Sequence, residues 1–375
     1  MHFRRELTFL FVFEICLSCI SCGRTHATKH VDRATLLEAV RQYGHDKQPN
    51  QPAPANQSIE KAPVSSSNPD AEREYRNENA SYLVERNFSQ LEKTANEARA
   101  GKARFAGGVW KLYGFYDGVS QPAVGDQATD ADWTTQIDFL KEWITAKPES
   151  VTARLALAEA YIKYADKARG GGYANTVSDD AWKLDAERTD LAAATLVEAA
   201  RLKEKCPYWY EVMQQVALGQ GWEKAQAREL FDQAAAFEPG YYHFYREYAF
   251  YLLPKWYGGP GDAEAFADES YNRVAGPEGK FIYFEIASIL TCQCDSTDTD
   301  MDHLSWPKIK EGYAALGQLY GSSSLKMNRF AHMAFEAGDR QAAEEAFATI
   351  GNDWDHSVWH SSQKFETAKV WAINQ

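Results

Sequence analysis

From about Glu72 onward, apolar residues return every three or four positions, and no stretch alternates apolar with polar for long enough to read as a strand. In Phe88 to Arg99, Phe88, Leu91, Ala95 and Ala98 fall on one face, and Arg86-Asn87 separates this helix from one over Glu72 to Glu85. The same period marks segments near Val109 to Tyr116, Trp133 to Ala146, Val151 to Lys167, Asp185 to Lys203, Tyr208 to Leu218 and Glu223 to Phe237. It continues through Tyr242 to Leu253, Ala263 to Val274, Lys280 to Thr291, Lys308 to Tyr320, Leu325 to Ala337, Arg340 to Ile350 and Ser357 to Ile373. A long series of short amphipathic helices predicts an all-α chain, built as an α-solenoid or related bundle of antiparallel hairpins.

Upstream of Glu72 the pattern fails. Only Asp32 to Tyr43 is periodic, with Leu36, Leu37, Val40 and Tyr43 at helical spacing. Asp46 to Pro69 is a run of Gln, Pro, Asn, Ser and Ala that cannot bury enough apolar surface to offset its ordering entropy. Residues 23–71 therefore read as a flexible, partly disordered linker, and roughly fifty such residues reach about 40 Å. Residues 72–375 are the helical domain.

The extreme N-terminus carries Arg4 and Arg5, then an apolar run from Thr8 to Ile20 interrupted by Glu14. It is too short to span a bilayer comfortably and reads as a secretory signal. Its end, Cys16-Leu17-Ser18-Cys19-Ile20-Ser21-Cys22-Gly23, resembles the lipobox of bacterial lipoproteins. Cys22, after Ile20-Ser21, is the first choice for lipidation and Cys19, after Leu17-Ser18, the second; neither has Leu three residues upstream. The resemblance implies that residues 1–22 are a signal peptide. The mature chain would then sit in the bacterial cell envelope, held to the membrane only by its acylated N-terminus and facing the periplasm or cell exterior. Plain secretion is the alternative.

Several helices share a phase. Ala227, Phe231, Ala234 and Pro239 resemble the second half of the tetratricopeptide signature, and Pro148 followed by Leu157, Ala158 and Tyr161 resembles the first-helix layout. Tyr245, Tyr248, Ala249 and Leu252 repeat that layout with aromatics, and Phe330-Ala331, Ala334, Gly338-Asp339, Ala343 and Phe347 make a C-terminal repeat hairpin over about 325–350. The phrases Arg169-Gly170-Gly171-Gly172-Tyr173-Ala174, Cys206-Pro207-Tyr208-Trp209-Tyr210, Ala217-Leu218-Gly219-Gln220-Gly221-Trp222 and Pro254-Lys255-Trp256-Tyr257-Gly258-Gly259 resemble a bacterial family of tetratricopeptide-like helical domains of unknown function. That resemblance covers about 84–274 and implies a fold, with no activity or catalytic residue attached.

Composition narrows the partners. Lys+Arg 40 against Asp+Glu 53 leaves a net charge of -13, which excludes the basic footprint that nucleic acid demands. Trp 11, Tyr 20 and Phe 19 form an aromatic excess, read as the large half of a large-small packing code between hairpins.

Candidate chemistry is sparse. Gly170-Gly171-Gly172 follows a helix and lacks the strand and Gly-Lys-Ser/Thr of a phosphate loop, so it reads as a turn. Asp298, Asp300 and Asp302 fill the first positions of a calcium loop, but His303 replaces the turn-forming Gly and Ile309 the closing Glu, leaving a solvated acidic loop. Cys292 or Cys294 could pair with Cys206 in an oxidising compartment, or all could be inert thiols. His356 and His360 have metal-ligand spacing on a helix but no Glu after the first. Glu285 interrupts the apolar Phe281 to Ile286; a carboxylate buried there would have a raised pKa, as a general acid does, but such a residue more often finds a basic partner or faces out. No cofactor or metal is expected.

The preferred expectation is a non-enzymatic scaffold whose hairpins form a concave groove for a protein or peptide partner. Tetratricopeptide groove positions map onto Thr152, Leu155, Glu159 and Lys163, then His243, Arg246 and Phe250. The alternative is an envelope hydrolase of glycan or peptide, with Glu285 or the Asp298 to Asp302 cluster as its carboxylates. The address itself is testable by acyl-chain labelling and fractionation. Cys22→Ala is expected to abolish both label and membrane association, and retention of either would sink the assignment of Cys22.

Overall fold

The computed structural model describes residues 30–45, 70–172, 174–292 and 301–374. The lipidation candidates Cys19 and Cys22, and the whole signal segment 1–22, lie outside them. Among the described residues the chain is all-α: seventeen helices, and a single antiparallel bridge between Arg104 and Trp110 in place of any strand.

In chain order the helices are α1 Arg33–His45, α2 Ala71–Val84, α3 Phe88–Gly101, α4 Lys111–Val119, α5 Asp130–Ala146, α6 Val151–Arg169, α7 Asp179–Ala200, α8 Tyr208–Gly219 and α9 Lys224–Phe237. They continue with α10 His243–Tyr251, α11 Asp262–Arg273, α12 Pro277–Cys292, α13 Trp306–Tyr320, α14 Ser324–Glu336, α15 Arg340–Ile350, α16 His356–Trp359 and α17 Ser362–Ile373. Local chemistry sets their ends. Thr129 and Asp132 form a reciprocal capping box at α5, and Ser150, Ser178, Asp339 and Ser361 accept first-turn amides at α6, α7, α15 and α17. Gly170 ends α6 at φ 72°, so the glycine run there is a helix stop and turn.

Packing follows a simple rule. Each even-numbered helix from α2 to α14 packs on the next even-numbered one, while α7, α9 and α11 each pack between the two even-numbered helices that flank them. The even-numbered helices thus form an inner row and the odd-numbered ones an outer row. Small residues let the inner row close up: a Cβ at Gly118 of α4 would meet the Arg76 carbonyl oxygen of α2 at 2.5 Å.

The row curls until its beginning meets its end. The segment between α3 and α4 crosses the N-terminal ends of α10, α12 and α14. Gly107 N donates to Gly321 O at 3.1 Å, and Arg104 donates to Gly240 O at 3.2 Å while its guanidinium lies 3.3 Å from the Trp110 ring centre. Gly108 (φ 82°) has no room for a side chain, since a Cβ would sit 2.6 Å from Phe281. Trp110 completes the seal against Tyr241, ring centres 4.8 Å apart.

Two sequence boundaries shift. The helix expected within 32–43 is present, but it packs on α7 and α9 as part of the body and is no segment of the linker. Its Tyr43 is fully buried, stacks on Trp209 at 4.2 Å, donates to Cys206 O at 3.1 Å and accepts from Cys206 N at 2.8 Å. Linker residues 46–69 lie outside the described residues. At the other end, α16 stops at Trp359 and His360 turns left-handed at φ 59°, so His356 and His360 do not share a helical face.

Tyr43 is the pin that holds α1. Tyr43→Ala in the full chain is expected to cost about 3–5 kcal/mol, the range for deleting a buried aromatic. Urea unfolding checks it, and a change below about 0.5 kcal/mol, the size of an ordinary surface effect, would mean that α1 is not part of the folded unit.

Candidate functional site

The inner row is where polar residues depart from the packing code. Helical spacing of three, four and seven puts Tyr113 and Asp117 on one face of α4, Glu159 and Lys163 on α6, and His243, Arg246, Glu247 and Phe250 on α10. Glu211 of α8, Glu285 of α12 and Lys326 of α14 are buried polar residues of the same inner row.

Tyr113 lies at the centre, where the charges of Asp117, Glu211, Arg246 and Glu159 all act on its hydroxyl. Its ring stacks on His243 at 4.1 Å, and Tyr242 stacks on the same imidazole at 4.2 Å. Burial, reinforced by Arg246, Lys326 and Arg104, pushes His243 well below its ordinary range, so the imidazole is neutral. Its Nδ1 lies 3.6 Å from Glu211 Oε1, and Nε2 has no partner. Burial also drives Glu211 well above the carboxylate range, against a 2.6 Å hydrogen bond donated by Tyr241. A neutral acid and a neutral imidazole therefore face each other.

Around this pair the acids divide. Burial opposes the ionisation of Asp117, but Lys163 at 2.5 Å and Arg76 at 2.6 Å prevail and hold it below the usual range. Glu159, 4% exposed, is pushed by burial up to about 7 against the attraction of Lys163, and its Oε2 has no partner. Glu247 is likewise raised by burial to about 7, and Asp166 by burial and then Asp185 to about 6. Solvent nevertheless reaches Asp166 and, in part, Glu247. These partly exposed acids lie further along α6 and α10, away from the N-terminal ends where the inner-row residues are buried.

The sequence-derived groove positions follow that gradient. Thr152 and Leu155 lie at the sealed end, fully buried; Thr152 accepts a 2.8 Å hydrogen bond from Arg99, and Leu155 is core. Glu159 and His243 come next, nearly buried. Lys163 and Arg246 have side chains 21% and 20% exposed, and half-buried Phe250 packs on Trp256 at 5.7 Å. Thr152 and Leu155 thus belong to the packed interior, and the other five are graded from nearly buried to half-buried.

Sequence reasoning missed Tyr113, Asp117, Glu211 and Lys326. A signal existed for two of them: Asp117 interrupts Phe115-Tyr116 and Gly118-Val119, and Glu211 interrupts Tyr210 and Val212, as Glu285 interrupts its own apolar run. Glu285 takes the expected basic partner, with Lys326 Nζ at 2.6 Å and Arg246 Nη1 at 3.8 Å. Cys206 is a fully buried thiol 3.6 Å from the Tyr116 hydroxyl and forms no disulfide among the described residues. Cys294, Asp298 and Asp300, and the side chains of Cys292 and Asp302, lie outside what is described. Among the described residues no group of His, Cys, Asp and Glu is arranged to hold a metal ion, and no helix is long and apolar enough to cross a membrane.

No protein-family model, curated protein or solved structure matches the chain.

The raised acids make stability depend on pH with a definite sign. An acid whose pKa is higher folded than unfolded binds more protons in the folded state between the two values. Its stabilising contribution is complete below the unfolded pKa and is lost as pH rises toward 7. Glu159→Gln should remove part of that loss, leaving the variant more stable than wild type at pH 8 by on the order of 1–2 kcal/mol and little different at pH 4.5. Urea titrations at the two pH values measure this, and a variant that is less stable at pH 8 contradicts the assignment.

Proposed function

We propose that the chain is an exported, lipid-anchored, non-enzymatic scaffold of the bacterial cell envelope, a tetratricopeptide-like array that takes a protein or peptide partner in its inner groove. One observation carries the reading: the partly exposed end of the inner row joins charged groups to half-buried aromatic anchors. Lys163, Arg246 and Glu247 offer charge of both signs inside. At the mouth, Arg169 lies 5.3 Å from the Trp182 ring centre and 5.1 Å from that of Trp256, and Lys255 lies 5.6 Å from that of Phe250. Aromatic and Arg side chains set among polar groups are what anchors a partner segment, with large contact area at low entropic cost.

The inner row supports the tetratricopeptide-like reading, since first helices of successive hairpins line the concave side of such arrays. The linker between lipid and body would let the groove reach partners off the membrane surface.

A second reading has its own observation. Glu159 is raised to about 7 while Asp117 beside it is held low, and carboxylates whose environments push their pKa values apart are the usual arrangement of an acid and its counterpart. That supports a glycan or peptide hydrolase built on Glu159 and Asp117, with Glu285 committed to its ion pair.

Crosslinking pull-down from envelope extract separates the two. The full chain is expected to recover a defined partner, reduced at least fivefold by Phe250→Ser or Lys255→Glu at the mouth and unaffected by Glu159→Gln. Recovery of nothing above background, or equal recovery by the mouth variants, would count decisively against the scaffold. Turnover of glycan or peptide that Glu159→Gln abolishes would establish the hydrolase.

A further inference from the structure

Where α10, α12 and α14 meet, cations outnumber the acids available to answer them. Glu285 is fully buried and faces two cations, Lys326 at 2.6 Å and Arg246 at 3.8 Å. A third, Arg329, stands one helical turn beyond Lys326 on α14, and its charge presses on Lys326. Of the neighbouring acids, Glu278 accepts from the Tyr320 hydroxyl and answers Arg104, Glu72 is paired with Arg76, burial keeps Glu211 neutral, and Glu247, raised by burial to about 7, answers Arg246 only in part. Arg104 adds a further positive charge that His243 feels.

The same place holds donors with nothing to donate to. Arg246 Nε, Arg329 Nε and Nη1, and the Tyr242 hydroxyl are buried without a hydrogen-bond partner. Tyr242 is 1% exposed, and its ring centre lies 5.7 Å from Lys326 Nζ and 6.0 Å from the Arg246 guanidinium carbon, so hydroxyl and cations form one cluster. A desolvated donor left unmade costs more than a normal hydrogen bond gains, and charged donors cost most. Hydrophobic residues of similar volume would pack this region without that cost.

We propose that the cluster is a binding site for a compact oxyanion, a carboxylate or phosphoryl group carried by the ligand, received by Arg246, Arg329, Lys326 and Tyr242. Two guanidinium groups supply the planar donors that such groups accept, and Lys326 supplies a point charge. Glu285 keeps Lys326 and Arg246 in place while the site is empty. Burial lowers Lys326 to about 8 despite the attraction of Glu285, so an arriving anion restores its proton. Binding near pH 8 must then take up protons, which a non-specific surface ion would not cause.

This site belongs to the same inner row as the proposed partner groove but requires no protein partner, so either can fail without the other. The test is calorimetric titration of the full chain at pH 8 with inorganic phosphate, acetate, triglycine and triglycine amide, at ionic strength held constant with chloride. Two buffers of different ionisation enthalpy report proton uptake. A single saturable site with proton uptake is expected, at least tenfold weaker in Arg329→Gln and in Tyr242→Phe and unchanged in the surface control Arg86→Gln. Tyr242→Phe loses only a hydroxyl and keeps the test valid if Arg329→Gln fails to fold. Preference for phosphate identifies a phosphoryl ligand; preference for triglycine over its amide identifies a carboxylate. No saturable binding of any anion, or equal binding by wild type and Tyr242→Phe, overturns the proposal.

Discussion

Desolvation of charge on the inner row governs the rest of this molecule. Curling one row of helices onto itself brings side chains from α4, α6, α8, α10, α12 and α14 into a space where water cannot solvate them all. An ionisable group there has three outcomes: pair, lose its charge, or remain unsatisfied. All three occur. Asp117 and Glu285 are paired with cations, Glu211 and His243 are neutralised, and Glu159, Arg246, Tyr242 and the neutral His243 keep polar atoms without partners. The first two outcomes relieve the cost of burial, and the third leaves it standing.

The seal explains the direction of that gradient. Because the segment carrying Arg104, Gly107, Gly108 and Trp110 lies across the N-terminal ends of the inner helices, water is excluded there most completely. Residues near that end, such as Thr152 and Leu155, are core. Residues a few turns further along the same faces, such as Lys163 and Asp166, regain solvent. One crossing segment therefore turns a row of equivalent helical positions into a depth scale, from packing through buried polar contacts to partly exposed positions. The glycines in the segment are what permit the crossing, since a side chain at Gly108 would collide with Phe281.

This also divides what the sequence reveals from what it hides. Helices are local, and their period locates them; the caps Ser150, Ser178 and Asp339 set their starts, and Ser178 begins α7 at Asp179, ahead of the Asp185 that period alone suggests. The face of a helix is also local, which is why spacing alone puts Glu159 with Lys163 on one face of α6 and His243, Arg246 and Phe250 on one face of α10. Depth along that face is not local. It depends on Tyr113 reaching His243 and on Gly107 reaching Gly321, contacts between opposite ends of the row that no spacing rule encodes. Helix α1 shows the same limit, since its period is visible while its docking depends on Tyr43 meeting Trp209 and Cys206 across the proline-rich segment.

The acidity of the chain takes on a different meaning beside this interior. A net charge of -13 repels anions at long range, whereas the uncompensated charge where α10, α12 and α14 meet is positive. The two effects act over different distances. Exposed charges are screened within about 8 Å at physiological salt, while buried ones act through a less polar medium and are screened far less. A freely diffusing polyanion would therefore meet repulsion first and gain attraction only after entry. A ligand with a single anionic tip on a neutral or basic body suffers little of the repulsion and keeps all of the attraction. For the oxyanion site proposed above, an acidic chain with a cationic interior cluster would therefore discriminate between ligands by where their charge sits.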